Sequence, residues 1–395
     1  MNSDALARSE WRLRAYPLAI LITLAAAVLF ATITFDEADA DSRLGGDYPA
    51  FYAAGSIAAA GDWDELYSQE RQQREQTGLI DDAGGYLYFS YPPFVAGGYA
   101  LLAAPAYAWS SLLHTFLMAA ALAGSVALLW PWLRRIGWPP PAVYVAALAF
   151  YPLLRAVPGG QNTALSLLLL AAAIRLESDG RLAWAGVALA LLLYKPQFGV
   201  VIVPLLIVSR RWKVLAGWSG GAAVLYGLSA LPFGWAWVGD WWEQATGFRD
   251  ANATINGGKF VSLPGFVENL TSVALGPMLG YLVAAVVGAG VALYWWRNPH
   301  GSVLERYALA AAVVVVAAPQ TLYYDAGLFI LGIVVVVLTN RARYGALIVV
   351  AVAASWLQVG ENWLGWSPLG PLVWLAAAWL VWQAGRGALG EATPV

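Results

Sequence analysis

Long apolar segments alternate with short polar ones along most of the chain, and one polar segment near the start is much longer than the rest. A helix needs about 20 apolar residues to cross a hydrocarbon core of ~30 Å. The pattern therefore predicts an all-α polytopic membrane protein with about twelve transmembrane helices. The predicted spans are residues 15–34, 92–132 (in more than one piece), 139–157, 162–176, 182–194, 197–209, 214–237, 270–296, 303–318, 326–339, 344–359 and 368–384.

The segment 92–132 is too long for one span and contains two apolar pieces. Gly97, Gly98 and Pro105 interrupt its first part. Irregular backbone within a membrane is tolerated where it is buried in protein or lines a cavity. We expect residues 92–107 to form a short re-entrant or interfacial helix that precedes one true span.

Residues 1–395 are predicted to form a single integral membrane domain. The first apolar segment, 15–34, is interpreted as a transmembrane helix because it lacks the small residues of a signal-peptide cleavage site. Two polar segments, residues 36–91 and 239–269, are predicted to be large loops on one membrane face. The first of them contains the helix-forming run that starts at Tyr48 and is expected to be helical.

The basic residues fall in alternate loops, which fixes the predicted orientation. If those loops are cytoplasmic, fifteen of the 22 Lys and Arg lie inside, and eighteen of the 24 Asp and Glu lie outside. Cytoplasmic loops carry the excess of positive charge, so both termini are predicted to be cytoplasmic. The fifteen are Arg8, Arg12, Arg14, Arg134, Arg135, Arg175, Arg181, Arg210, Arg211, Lys213, Arg297, Arg306, Arg341, Arg343 and Arg386.

Composition excludes several classes of site. The chain is 60% hydrophobic and 12% charged, which excludes an ordinary soluble protein. It has no cysteine and only two histidines, His114 and His300, so neither a thiolate nor a histidine metal cluster is expected. No nucleotide-binding motif is present. We therefore predict no metal, no cofactor and no nucleic-acid partner; membrane lipids are the expected surroundings.

The polar residues that interrupt the apolar pattern collect at the predicted outer face, which places function there. Lys195 is either a functional residue at membrane depth or a lysine that extends to the headgroups from a hairpin tip. Arg155 has the same two interpretations, the second being contact with lipid phosphate. Asp47 precedes Tyr48 and Pro49 and fits a helix N-cap on spacing alone. Asp325 also has two interpretations, as a helix N-cap or as a functional carboxylate.

With these residues collected, the chain resembles glycosyltransferase family 87, the polyprenol-phosphate-mannose-dependent mannosyltransferases of the GT-C superfamily. The resemblance runs from Asp47 to about Asp325. It rests on short motifs in a fixed order, which are Asp47–Gly55, Leu66-Tyr67, Tyr91-Pro92-Pro93, Gly160-Gln161-Asn162, Ala185-Gly186 and Lys195-Pro196. Relatives often carry a histidine near the position of Tyr323-Tyr324-Asp325, and this chain has none there.

The resemblance implies a GT-C-like bundle with its active site on the extracytoplasmic face. The alanine-, glycine- and arginine-rich, lysine-poor composition is typical of a GC-rich bacterial genome, so the predicted location is a bacterial inner membrane. The resemblance also implies transfer of mannose from a polyprenyl-phosphate donor to a glycolipid or polysaccharide acceptor, with inversion and no cofactor. Asp47, in the first loop, is then the catalytic base, and Lys195, Arg155 and Lys259 are candidates for binding the donor phosphate. Candidates for binding the remaining substrate are Tyr48, Tyr52, Tyr91, Gln161, Asn162, Gln197, Tyr324 and Asp325.

Other functions stay open from the sequence. An arabinofuranosyl or glucosyl donor would leave the same pattern. A transporter or lipid flippase would place charges or broken helices near mid-membrane and repeat its spans, and no clear inverted repeat is present. A non-catalytic partner of an envelope assembly complex is a third reading, and it predicts that Asp47 is dispensable.

Overall fold

The computed structural model describes residues 46–77, 79, 87–271, 276–299, 301–319, 321–339 and 344–385. The predicted first span 15–34, the acidic residues 36–41 and both chain termini lie outside the described residues, as do His300, Arg341, Arg343 and Arg386. The regular elements of the described ranges are helices, and an isolated antiparallel bridge pairs Phe260 with Leu322.

The α-helices are α1 (Tyr48–Ala60), α2 (Gln69–Gln76), α3 (Pro93–Ala100), α4 (Tyr107–Leu133), α5 (Pro140–Ala149), α6 (Tyr151–Ala156), α7 (Thr163–Ser178), α8 (Leu182–Ala190), α9 (Gln197–Val208), α10 (Trp212–Phe233), α11 (Trp237–Asn256), α12 (Leu263–Leu270), α13 (Gly276–Arg297), α14 (Val303–Ala317), α15 (Ile330–Thr339), α16 (Tyr344–Ser355), α17 (Glu361–Leu364) and α18 (Leu369–Gly385). Six 3₁₀ turns join or extend them, at Trp63–Glu65, Arg134–Ile136, Leu191–Tyr194, Gly257–Lys259, Tyr323–Phe329 and Trp356–Gly360.

Each predicted span after the first coincides with a helix or with two helices in succession. Four stretches in the described part of the chain are long and apolar enough to cross a membrane: Tyr107–Ile136, Trp212–Phe233, Met278–Arg297 and Gly345–Leu364. Five more apolar stretches are shorter, 10–17 residues. The protein is therefore a helical membrane protein, and the count of twelve spans stays a prediction.

Residues 92–132 form two helices, as the sequence predicts. The eight residues of α3 extend about 12 Å, which is too short to cross a hydrocarbon core. Helix α4 follows with 27 residues and is long enough to cross on its own. The described part of the first loop is largely helical, because α1, the turn at Trp63–Glu65 and α2 follow one another within residues 48–76.

Helices α8 and α10 pack with their backbones in direct contact. A Cβ added at Gly217 of α10 would lie 1.9 Å from the carbonyl oxygen of Ala183, and one added at Gly186 of α8 would lie 2.0 Å from the carbonyl oxygen of Val214. Small residues permit this approach between membrane helices. The α8 helix leads directly to Lys195, so this contact fixes one part of the candidate site.

We expect Gly217→Ala to destabilise the protein by about 1–3 kcal/mol, because the added methyl group has no space between α8 and α10. The control is Gly220→Ala in the same helix, since no atom lies within 4 Å of a Cβ added at Gly220. Alanine is the better helix former, so the control should be neutral or slightly stabilising. Thermal unfolding in detergent compares the two, and equal melting temperatures would contradict the packing described.

A buried charge cluster joins three chain segments at one end of the bundle. The Glu177 carboxylate forms ion pairs with Arg211 at 2.7 Å and Arg306 at 2.8 Å. It also accepts a hydrogen bond from the Tyr307 hydroxyl at 2.8 Å. Glu177 lies near the end of α7, whereas Thr163 at the start of α7 contacts Asp325. The two positions are about 20 Å apart along this helix. The buried charge cluster around Glu177 and the candidate site therefore lie at opposite ends of α7.

Helix α14 lies in the core of the bundle, between the charge cluster around Glu177 and the candidate site. Every residue from Leu304 to Val316 is buried, so the helix packs against neighbours on all sides. Its first turn holds Arg306, and the chain beyond its last turn leads to the 3₁₀ turn Tyr323–Phe329. This turn brings Tyr324 and Asp325 to the opposite end from Arg306.

Candidate active site

Asp47 begins helix α1, but its side chain does not cap that helix. Its carboxylate accepts a hydrogen bond from the Gln161 amide, and its backbone N–H donates to the carbonyl oxygen of Gly159 at 3.2 Å. Gly46 has φ of +55°, and a Cβ there would lie 2.7 Å from the Gly159 carbonyl oxygen. The glycine thus permits the close approach that holds Asp47 against the Gly159–Gln161 turn.

Lys195 is buried and paired. Its ammonium lies 2.5 Å from Oδ1 of Asp325, and the side chains of the pair are 6% and 12% exposed. Thr163 Oγ1 donates to the same Asp325 oxygen at 3.4 Å. Burial with a counter-ion is the usual state of a charge at membrane depth. The alternative of a lysine that extends to the headgroups does not match this geometry.

Two tyrosines connect Asp47 to the Lys195–Asp325 pair. Tyr91 and Tyr324 each lie close enough to both carboxylates to interact with them electrostatically. The Lys195 ammonium lies 5.8 Å from the centroid of the Tyr324 ring. Asp47, Lys195 and Asp325 therefore belong to one site, although 114 residues separate Asp47 from Gln161 and 130 separate Lys195 from Asp325.

Gln161 and Asn162 are neighbours with different contacts. Gln161 donates its amide N–H to Asp47, and its Oε1 is a buried acceptor with no hydrogen-bond partner in the described part of the chain. Asn162 Oδ1 accepts the Tyr99 hydroxyl at 2.7 Å and lies 3.4 Å from His114 Nε2. Gln161 thus contacts Asp47, whereas the side chain of Asn162 bonds Tyr99 and so anchors the turn to α3.

Arg155 and Lys259, the other predicted phosphate-binding cations, lie in different places around the Tyr323–Asp325 segment. Arg155 hydrogen-bonds Tyr323, which itself interacts electrostatically with Asp47 and Glu361. Lys259 Nζ donates to Asn256 Oδ1 at 3.2 Å and interacts with the Glu361 carboxylate. Each of the three predicted cations therefore has its own partners, and of the three, Lys195 and Arg155 contact the segment directly.

The remaining predicted substrate residues are placed as follows. Tyr48 is fully buried; its hydroxyl is 2.6 Å from Ser110 Oγ and its ring packs on His114. The Tyr52 hydroxyl donates to the Pro105 carbonyl oxygen at 3.1 Å. Gln197 begins α9 and is half-buried. The contacts of Tyr48 and Tyr52 are internal, and a substrate role for all three stays a prediction.

Two residues of the site have no separate signal in the sequence. Tyr194 donates its hydroxyl to the Asn162 carbonyl oxygen at 2.8 Å, and its ring is stacked with Tyr91 at 6.4 Å. Thr163 bonds Asp325. Thr163 directly follows Asn162, and Tyr194 directly precedes Lys195; the motifs mark Asn162 and Lys195. This adjacency is the signal in the sequence that points to Thr163 and Tyr194.

Comparison with known proteins identifies a family. The family model of glycosyltransferase family 87 matches residues 89–322, more than half of the chain. No curated protein and no solved structure matches the chain. The matched region includes Tyr91, Arg155, Gln161, Asn162, Lys195, Gln197 and Lys259, whereas Asp47, Tyr324 and Asp325 lie outside it.

Proposed function

Since the chain belongs to glycosyltransferase family 87 and is therefore a glycosyltransferase, we propose that it transfers mannose from polyprenyl phosphate to a glycolipid or polysaccharide acceptor. The observation that carries this proposal is the occurrence of Asp47, whose side chain does not cap its own helix, and of a buried lysine around the same two tyrosines, Tyr91 and Tyr324. A base and a cation are the two groups that such a transfer needs.

The donor chemistry explains why one carboxylate and one cation suffice. The sugar is joined to the lipid through phosphate, which leaves with the electron pair of the C1–O bond and needs no general acid. The acceptor hydroxyl oxygen forms the new bond to C1, and its proton passes to the Asp47 carboxylate. A general base of this kind contributes roughly 10²–10⁴-fold to the rate. Attack from the opposite side inverts the configuration at C1.

Lys195 is the proposed ligand of the departing phosphate. Fixed positive charge in a site that excludes water stabilises a leaving anion strongly, and ionised partners form the shorter and stronger hydrogen bonds. Lys195 is buried beside Tyr324, which also neighbours Asp47, and this proximity supports a role for Lys195 next to the bond that breaks. Arg155, which bonds Tyr323, and Lys259, which bonds Asn256, are further candidates for the phosphate.

Gln161 has a defined place in this proposal. Its N–H orients the Asp47 carboxylate, and its buried Oε1 without a partner in the described residues is available to a sugar or acceptor hydroxyl. Tyr91 and Tyr324 each lie near both Asp47 and Asp325, and we propose that their rings pack against the sugar. Tyr48, Tyr52, Asn162 and Gln197 remain candidates for binding the sugar or for shaping the site around it.

The charge distribution supports an extracytoplasmic site, and we propose that the membrane is a bacterial inner membrane. Arg211 and Arg306 lie with Glu177 at the end of α7 opposite the candidate site. Because positive charge concentrates on the cytoplasmic side, that end is proposed to be cytoplasmic. The site then faces the compartment in which polyprenyl-phosphate sugars serve as donors in place of nucleotide sugars.

A donor comparison tests the proposed function. Purified protein in nanodiscs, with a bacterial envelope lipid extract as acceptor, is given labelled polyprenyl-phosphate-mannose, polyprenyl-phosphate-glucose, polyprenyl-phosphate-arabinofuranose or GDP-mannose. We expect transfer from polyprenyl-phosphate-mannose without added nucleotide. Transfer from another lipid-linked sugar would change the sugar and keep the mechanism, whereas transfer from GDP-mannose alone would overturn the proposed donor class.

A further inference from the structure

Asp325 neutralises the very cation that the proposed mechanism assigns to the donor phosphate. Its Oδ1 lies 2.5 Å from the Lys195 ammonium, and both side chains are buried. A buried ion pair is balanced, and adding a second anion beside it leaves a net buried negative charge, which is costly. A lipid phosphate that binds Lys195 must therefore compete with Asp325.

The surroundings provide for such an exchange. Thr163 Oγ1 donates to the same Asp325 oxygen at 3.4 Å, so the carboxylate keeps a hydrogen-bond donor when Lys195 turns away. The Tyr324 ring lies 5.8 Å from the ammonium, and an aromatic face stabilises a cation at this distance. Each member of the pair thus has an alternative contact within the site.

We propose that Asp325 is a positioning residue that acts through Lys195 as a built-in competitor of the lipid phosphate. It holds Lys195 in place in the empty site, yields it to the donor, and takes it back when polyprenyl phosphate leaves. The released lipid is a phosphate monoester with more negative charge than the donor diester, so its retention by Lys195 would otherwise be the stronger. This inference rests on the proposed donor class.

The sign of one binding change separates this role from that of a substrate ligand. Polyprenyl monophosphate is titrated into nanodisc-embedded wild type and Asp325→Asn. We expect the variant to bind it about tenfold more tightly, the scale of one charge-assisted hydrogen bond. In turnover the variant should show a lower KM for the donor and a lower kcat, with a burst of product in the first turnover. Weaker or unchanged binding would overturn the inference, because a ligand of the sugar or a purely structural residue gives that result.

Two further variants keep the test decisive. In Lys195→Gln/Asp325→Asn the tighter binding should vanish, since the effect of Asp325 passes through Lys195; its persistence would contradict the inference. Should Asp325→Asn fail to fold, Thr163→Val replaces it. This variant removes the alternative donor to the Asp325 carboxylate, so polyprenyl monophosphate should bind about two- to tenfold more weakly, the scale of one long hydrogen bond. Unchanged or tighter binding in Thr163→Val would count against exchange.

The same titration distinguishes failure of the inference from failure of the proposed function. Wild type that binds polyprenyl monophosphate while Asp325→Asn binds it more weakly retains the proposed donor and loses the inference. Wild type that neither binds this lipid nor transfers a sugar from any polyprenyl-phosphate donor loses both.

Discussion

Replacement of Asp47 by asparagine is expected to lower the rate of sugar transfer by roughly 10²–10⁴-fold, the contribution of a general base. Asparagine has the same shape and still accepts the Gln161 amide N–H, but it cannot take the acceptor proton. Thermal stability should stay near that of wild type, because the Asp47 side chain does not cap its helix. Donor binding should also stay near that of wild type, because Lys195, the proposed phosphate ligand, is unchanged. Steady-state transfer of labelled sugar, measured beside binding of polyprenyl monophosphate, checks both expectations.

Asp64→Asn is the matched control for this substitution. Asp64 lies in the same first loop, in the 3₁₀ turn Trp63–Glu65, and is exposed. The exchange of carboxylate for amide is identical, yet we expect transfer to stay within about twofold of wild type, as is usual for surface substitutions. Full activity of Asp47→Asn would return Asp47 to a structural role at the start of α1 and leave the base unassigned.

Lys195→Gln should have the second large effect, and it should fall on donor binding. Loss of a charge-assisted hydrogen bond to phosphate corresponds to about 10–100-fold in affinity. The substitution also leaves the buried Asp325 carboxylate without its ion-pair partner, which is expected to destabilise the protein by about 3–5 kcal/mol. Titration with polyprenyl monophosphate and thermal unfolding measure the two consequences.

A double variant separates lost binding from lost stability. Lys195→Gln/Asp325→Asn removes both charges, so the melting temperature should recover toward wild type while polyprenyl monophosphate still binds weakly. Lys213→Gln, an exposed cation near the basic end of the bundle, is the control and should change neither quantity. Wild-type binding of polyprenyl monophosphate by Lys195→Gln would exclude Lys195 as the phosphate ligand.

Much of the helical fold follows from the sequence, because apolar run length and charge placement are local patterns. The division of 92–132 into α3 and α4 was predictable from Gly97, Gly98 and Pro105. The 3₁₀ turns at Leu191–Tyr194, Tyr323–Phe329 and Trp356–Gly360 were not predictable as such. A glycine or a proline lies in or just after each of them, but these residues do not distinguish a 3₁₀ turn from the end of an α-helix. Tertiary contacts decide such breaks, and two of the three lead into residues of the candidate site.

The pairings inside the site were beyond sequence reasoning. Motifs identified Asp47, Gln161, Lys195 and Asp325 one by one, but nothing local shows that Gln161 meets Asp47 or that Asp325 meets Lys195. The N-cap interpretation of Asp47 illustrates the limit. Spacing located the start of α1 correctly, while the side chain turned to a residue far along the chain. Which partner a polar side chain selects depends on how distant helices pack.

A single-turnover experiment tests the central claim most directly, because it isolates the step that Asp47 is proposed to catalyse. Wild type and Asp47→Asn in nanodiscs are loaded with labelled polyprenyl-phosphate-mannose in less than stoichiometric amount, acceptor is added, and the mixture is quenched at successive times. We predict that both proteins hold the donor and that only wild type converts it rapidly to labelled glycan and polyprenyl phosphate. Equal rates of conversion in the two proteins would contradict the assignment of Asp47 as the base.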